Sequence, residues 1–164
     1  MIKEILESKI AVFGCGNVLF GDDGFGPRAV EYLNENYTLP EGMYAEDMGT
    51  AISDILFDLT LSETRPESIW ILDAVDMEGW DPGEVFELQV EDIPGEKSGD
   101  FSLHQFPAVN LLRELRDEAG INIRILAVQV SLIPEYVEPG LSKEVRDALP
   151  RASRFILDAC DSSL

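Results

Sequence analysis

The sequence predicts a three-layer α/β/α sandwich, and three observations predict it. Apolar runs of strand length alternate along the chain with segments whose apolar residues recur at helical spacing. Residues 68–75 and 123–130 are nearly continuous in apolar side chains, as expected of strands covered on both faces. Between the first such run, at 10–13, and the helical pattern that follows it lies a glycine-rich crossing loop, Gly14 to Gly26. A chain of 164 residues suits one domain over 1–164, with a full core.

In order, the first strand (10–13) passes through that loop into a helix opened by Pro27, with Val30, Leu33 and Tyr37 on its apolar face. Leu39-Pro40-Glu41-Gly42 is a turn, and 43–46 a short second strand ending at Asp47. Ile52, Ile55, Leu56 and Leu59 form the i, i+3, i+4, i+7 set of an amphipathic helix, with Thr50 or Ser53 available to cap it. The third strand is 68–75, polar inside only at Asp73. A turn at Asp81-Pro82-Gly83 leads to 84–90, whose alternation of polar and apolar residues marks an edge strand with one wet face. The loop at 91–101 is long enough to be functional. It delivers Ser102-Leu103-His104-Gln105, then a helix through Leu111, Leu112, Leu115 and Ala119 that Gly120 stops. After the strand at 123–130, Pro134 and Pro139-Gly140 break the chain. Ser142 caps a last helix expected to kink at Pro150. The count is five strands and four helices.

Charge excludes several function classes. With 12 basic against 32 acidic residues, the net charge of -20 makes nucleic acid and anionic membranes poor partners. The start, Met1 to Glu7, mixes charged and apolar residues and lacks the pattern of a signal peptide. No apolar run approaches the roughly 18 residues of a membrane helix. Cys15 and Cys160 show no metal or redox spacing, so two free thiols in a reducing cytoplasm are expected. Cys15 is read as a small strand-end residue in preference to a nucleophile.

The crossing loop carries the chemistry. Gly14 and Gly16 suggest a dinucleotide fold, but the third glycine position, 19, is Leu, and Asp22 and Asp23 stand where a phosphate would sit. A divalent cation or a proton suits two adjacent carboxylates better. One of the pair can instead cap the helix, though a helix has a single N-cap. Asp73, near the carboxyl end of a buried strand, needs a pairing charge, hydrogen bonds or a metal; amides of a neighbouring loop would also satisfy it. His104 is the only histidine and lies where a loop meets a helix, a position open to a ligand or to a surface residue. Asp23, Asp47 and Asp73 follow or end successive strands, where ligands gather in open α/β sheets. Two carboxylates and one imidazole are the donors of an open divalent site; zinc and nickel both accept them.

The blocks Gly14-Cys15-Gly16-Asn17-Val18-Leu19, Asp22-Asp23-Gly24-Phe25-Gly26, Gly49-Thr50, Ile71-Leu72-Asp73-Ala74 and Ser102-Leu103-His104-Gln105 resemble the maturation endopeptidases of nickel-iron hydrogenases. The resemblance covers nearly the whole chain and is nearest to the type serving coenzyme F420-reducing hydrogenase. It implies a mostly parallel, five-stranded mixed sheet with one antiparallel strand. It also implies an enzyme that removes the C-terminal extension of a hydrogenase large-subunit precursor after nickel insertion. The family's metal-contacting residues fall on Asp23, Asp73 and His104, which are also the expected catalytic residues. Two features depart from the pattern: the first-loop ligand is often Glu, and the loop at 47–51 is usually richer in glycine. Nickel is expected to arrive in the substrate, with zinc or another divalent metal able to occupy the same donors. A monomer is favoured. The alternative is a nickel-binding chaperone without proteolysis.

Overall fold

In the computed structural model, residues 1–93 and 106–161 are described. Among them the chain forms α1 (Ile2–Glu7), β1 (Ile10–Cys15), α2 (Phe25–Asn36), β2 (Met43–Gly49), α3 (Ile52–Leu61), β3 (Ser68–Val75), β4 (Val85–Leu88), α4 (Phe106–Asp117), β5 (Asn122–Gln129) and α5 (Lys143–Asp161). Short 3-10 turns span Gly21–Gly24 and Val90–Asp92. The sheet order is β2-β1-β3-β5-β4, with β4 antiparallel on β5 and the other pairs parallel. The three-layer sandwich, its mixed sheet and the edge position of the alternating strand are therefore as expected.

Side-chain alternation divides the core between the two faces of the sheet. Ala11, Phe13, Ile69, Ile71, Ile123 and Ile125 pack with Leu56 and Leu59 of α3 and with Leu112 and Leu115 of α4. Val12, Trp70, Leu72 and Val128 pack on the other face with Leu33 of α2 and Ile156 of α5. This division follows from chain direction. The path β1-α2-β2 moves one way across the sheet and β2-α3-β3 moves back, so right-handed crossovers put α2 and α3 on opposite faces. The reversal lies between β1 and β3, and it opens a crevice at the carboxyl ends of these two strands.

Several elements differ from the sequence reading. Residues 2–7, to which the sequence reading assigned no helix, form α1: its 6 residues are held by Ile5, buried in the core cluster with Leu56 and Leu59, and it brings the helices to five among the described residues. The fourth strand stops at Leu88 because Gln89 and Asp92 close a capping box around the 3-10 turn that follows. α3 has Ala51 at its N-cap with no side-chain cap, so neither Thr50 nor Ser53 has that role. α5 runs on past Pro150 as the sequence reading had it, and its expected cap is present: Val145 N donates to Ser142 Oγ at 3.4 Å.

Candidate functional site

The glycines of the crossing loop are there for backbone contact. A Cβ at Gly26 would stand 2.1 Å from the Cys15 carbonyl oxygen and 2.4 Å from that of Leu72. One at Gly14 would stand 2.3 Å from the Gly26 carbonyl oxygen. The first turn of α2 thus lies directly on β1 and β3, closer than any side chain permits. Gly16, at φ +135°, has the Asp23 carbonyl oxygen 1.9 Å from where its Cβ would be. These glycines fold the loop back over the carboxyl ends of the strands and leave the phosphate reading without its purpose.

The two adjacent aspartates have separate tasks. Asp22 is buried, and its carboxylate accepts from Ser131 N (2.9 Å), Leu132 N (3.3 Å), Ser142 N (2.7 Å) and Ser142 Oγ (2.9 Å). It therefore ties the loop after β1 to the loop after β5 and to the start of α5. The capping role considered for it is absent: the N-cap of α2 is Gly24, with no side-chain cap bond. Asp23 turns the other way and accepts from Asn17 N at 3.0 Å, while Asn17 Oδ1 accepts from Leu19 N at 3.0 Å. Its 3-10 turn packs against β3, the strand that carries Asp73.

Asp73 is fully buried and accepts from Ala74 N at 2.8 Å through Oδ1. By alternation it lies on the sheet face covered by α3 and α4, between Ile71 and Val75. Asp47 is exposed and sits within β2, where its Oδ1 accepts from Gly49 N at 2.7 Å. The Gly49 carbonyl in turn accepts from Gly16 N at 2.9 Å, which joins the loops after β1 and β2. The register shifts here, Gly14 pairing with Asp47 and Cys15 with Gly49. Cys15 is buried between these acids. Burial first, then the carboxylates of Asp73 and Asp47, push its thiol well above the usual range, which disfavours the thiolate that a nucleophile needs.

The structure therefore brings Asp23 and Asp73 to one end of the sheet from different elements. His104 lies outside the described residues; α4 starts two positions after it. α4 leads through Ile121 directly into the amino end of β5, so its own start points toward the carboxyl end of the sheet. Among the described residues no three His, Cys, Asp or Glu side chains are grouped as one ion requires, so a three-donor centre calls on a residue beyond them. Sequence reasoning missed Asp22 as the tie between loops. Its partners are 109 to 120 residues away, a separation at which no local pattern operates. Gln129 was also missed: it ends β5 buried, accepts from Met77 N at 2.9 Å and donates to Asp76 Oδ1 at 3.0 Å.

Comparison with known proteins fits this geometry. A protein of Methanocaldococcus jannaschii provisionally named a hydrogenase maturation protease is 34% identical over 150 residues, spanning 90% of this chain and 94% of its own. Coenzyme F420 hydrogenase subunit delta of Methanothermobacter thermautotrophicus is 32% identical over 155 residues, 93% of this chain and 94% of its own. The solved structure of the hydrogenase maturating endopeptidase HybD from E. coli superposes with a TM-score of 0.72 at 29% identity, covering 94% and 93% of the two chains. The family model for hydrogenase maturation protease matches residues 27–159. Related along nearly its whole length in sequence and in fold, the chain belongs to the hydrogenase maturation protease family and is a peptidase.

Proposed function

We propose that this protease removes the C-terminal extension of a nickel-iron hydrogenase large-subunit precursor once nickel is seated there. Asp23, Asp73 and His104 complete the coordination of the ion that the substrate carries. The observation that supports this most is that Asp23, in a turn packed against β3, and Asp73, near the carboxyl end of β3, stand at the same end of the sheet. They come from separate elements, each held by a backbone amide, in a chain whose strand-end thiol is buried and pushed upward in pKa by that burial. Two carboxylates and an imidazole suit nickel as a ligand set, and they offer little to an extended peptide. Binding energy then becomes available only when the ion is present, which makes cleavage conditional on insertion.

In the cleavage itself, one carboxylate takes a proton from the attacking water as the new C–O bond forms at the scissile carbonyl. The proton passes to the departing amine as the C–N bond breaks. The coenzyme F420-reducing type of hydrogenase is the proposed source of the precursor, given the relative of that name. The protease works as a monomer in the cytoplasm. Among its described residues no helix is long and apolar enough to cross a membrane.

The test is to incubate the purified protease with nickel-loaded and nickel-free precursor and weigh the products. Cleavage of the loaded form alone is expected. Equal cleavage of both forms would assign the ion to the protease, zinc included. Nickel binding with no cleaved product from either would favour a chaperone.

A further inference from the structure

Two loops at the carboxyl end of the sheet carry apolar side chains that the fold leaves uncovered. Leu19, in the loop after β1, is 45% exposed; Leu132, Tyr136 and Val137, in the loop after β5, are 67%, 81% and 63% exposed. The two loops form one surface. Gly21 N donates to the Glu138 carbonyl at 2.9 Å and Glu138 N donates to the Leu19 carbonyl at 2.8 Å, a short parallel bridge between them. Asp22 fastens the same loops from beneath through Ser131, Leu132 and Ser142. Between them runs a shallow cleft of about 240 Å³, lined by Gly21, Asp22, Leu132, Pro134, Leu141 and Ser142. An exposed segment fixed at so many points is preorganised, which lowers the entropic cost of binding on it.

The charge of this surface is one-sided. Residues 16–24 and 131–142 contain no Lys or Arg, while Glu135 and Glu138 stand exposed beside the apolar side chains. Its complement is an extended segment with apolar side chains flanked by Lys or Arg. Asp22 lines the cleft, and the loop that carries it continues into Asp23 of the proposed ion-reading set.

Resting on the function proposed above, we propose that the surface of Leu19, Leu132, Tyr136 and Val137 is the docking platform for an apolar, basic segment of the precursor. It supplies the peptide affinity that two carboxylates and an imidazole lack. It also lets the ion report only on whether nickel is present.

Steady-state cleavage of nickel-loaded precursor tests this with L19S and with the double variant L132S/Y136S, each checked for native circular dichroism. The lost side chains are exposed, so folding is expected to survive. Each variant should raise KM about tenfold or more with kcat within roughly twofold, the pattern of lost ground-state binding. E135K/E138K should raise KM in the same way, and added salt should weaken binding of the unaltered protease. F57S, at an exposed apolar residue of α3 on another part of the surface, should leave KM unchanged. Unchanged KM in both serine variants overturns the platform. So does a dimer of the unaltered protein, seen by sedimentation, that L132S/Y136S dissolves. If the unaltered protein cleaves nothing, the function itself fails, a result distinct from cleavage that the platform variants leave intact.

Discussion

At the amino end of the sheet, neighbouring strands are joined by backbone bonded to backbone. Lys9 and Ile10 N donate to the Gly42 carbonyl, Glu67 and Ser68 N to the Lys9 carbonyl, and Asn122 N to the Glu67 carbonyl. At the carboxyl end the loops are held largely by side chains. Asp22, Asp23, Asp47, Asp73 and Gln129 accept between them from the amides of Ser131, Leu132, Ser142, Asn17, Gly49, Ala74 and Met77. Backbone pairing works with almost any sequence, whereas an acceptor side chain works only if that residue is present. The amino end is therefore generic scaffold, and the carboxyl end is written residue by residue.

Substitutions at the two ends should separate accordingly. The largest effect is expected for Gly26→Ala, where the new methyl meets two carbonyl oxygens that belong to strands and cannot retreat. A loss of at least about 3 kcal/mol is expected, or failure to fold, read by chemical denaturation. Asp22→Ala comes next. It strands three backbone amides, and with water entering from the cleft the cost is about 2–3 kcal/mol. That corresponds to a melting temperature lower by roughly 4–12 °C in a chain of this size. Asp22→Asn, which keeps one acceptor oxygen, should fall less. Ser8→Ala, at the amino end, removes the Ser8 Oγ bond to the Ile5 carbonyl, which still accepts from Ser8 N. About 0.5–1 kcal/mol is expected. An equal cost for Ser8→Ala and Asp22→Ala would remove the distinction between the ends.

The smallest expected effect is on the thiol. A pKa raised by burial and by two carboxylates lowers the thiolate fraction at any working pH, so iodoacetamide at pH 8 should leave Cys15 unmodified in the native protein. Mass spectrometry checks this against the denatured chain, which should be labelled. Native labelling with loss of activity would reopen the nucleophile reading.

The amino-end scaffold was the more legible half of the sequence. β3 spans the residues its apolar run marked, because a strand covered on both faces needs no partner information to be recognised. The amphipathic α3 and α5 show their apolar faces in the same local way. α1 escaped because six residues hold too little periodicity, and burial of Ile5 by the rest of the fold decides it. At the carboxyl end the sequence marked Asp23 and Asp73 by residue type and position. It offered no means of telling Asp22 from Asp23, since adjacency says nothing about which way each side chain turns. The partners of Asp22 lie beyond residue 130 and are brought close only by the completed sheet.

In the function proposed, a charge at Asp73 serves the ion in the substrate. Comparing Asp73→Asn with Asp76→Asn tests it most directly, by single-turnover cleavage of nickel-loaded precursor with melting temperatures measured in parallel. Asn at 73 keeps an oxygen for the Ala74 amide and removes the charge, while Asn at 76 keeps an acceptor for Gln129 in the adjacent loop. Asp73→Asn is expected to lower the cleavage rate by about a hundredfold or more, Asp76→Asn to leave it near normal, and both to keep a native melting profile. Equal cleavage rates in the two variants would contradict it.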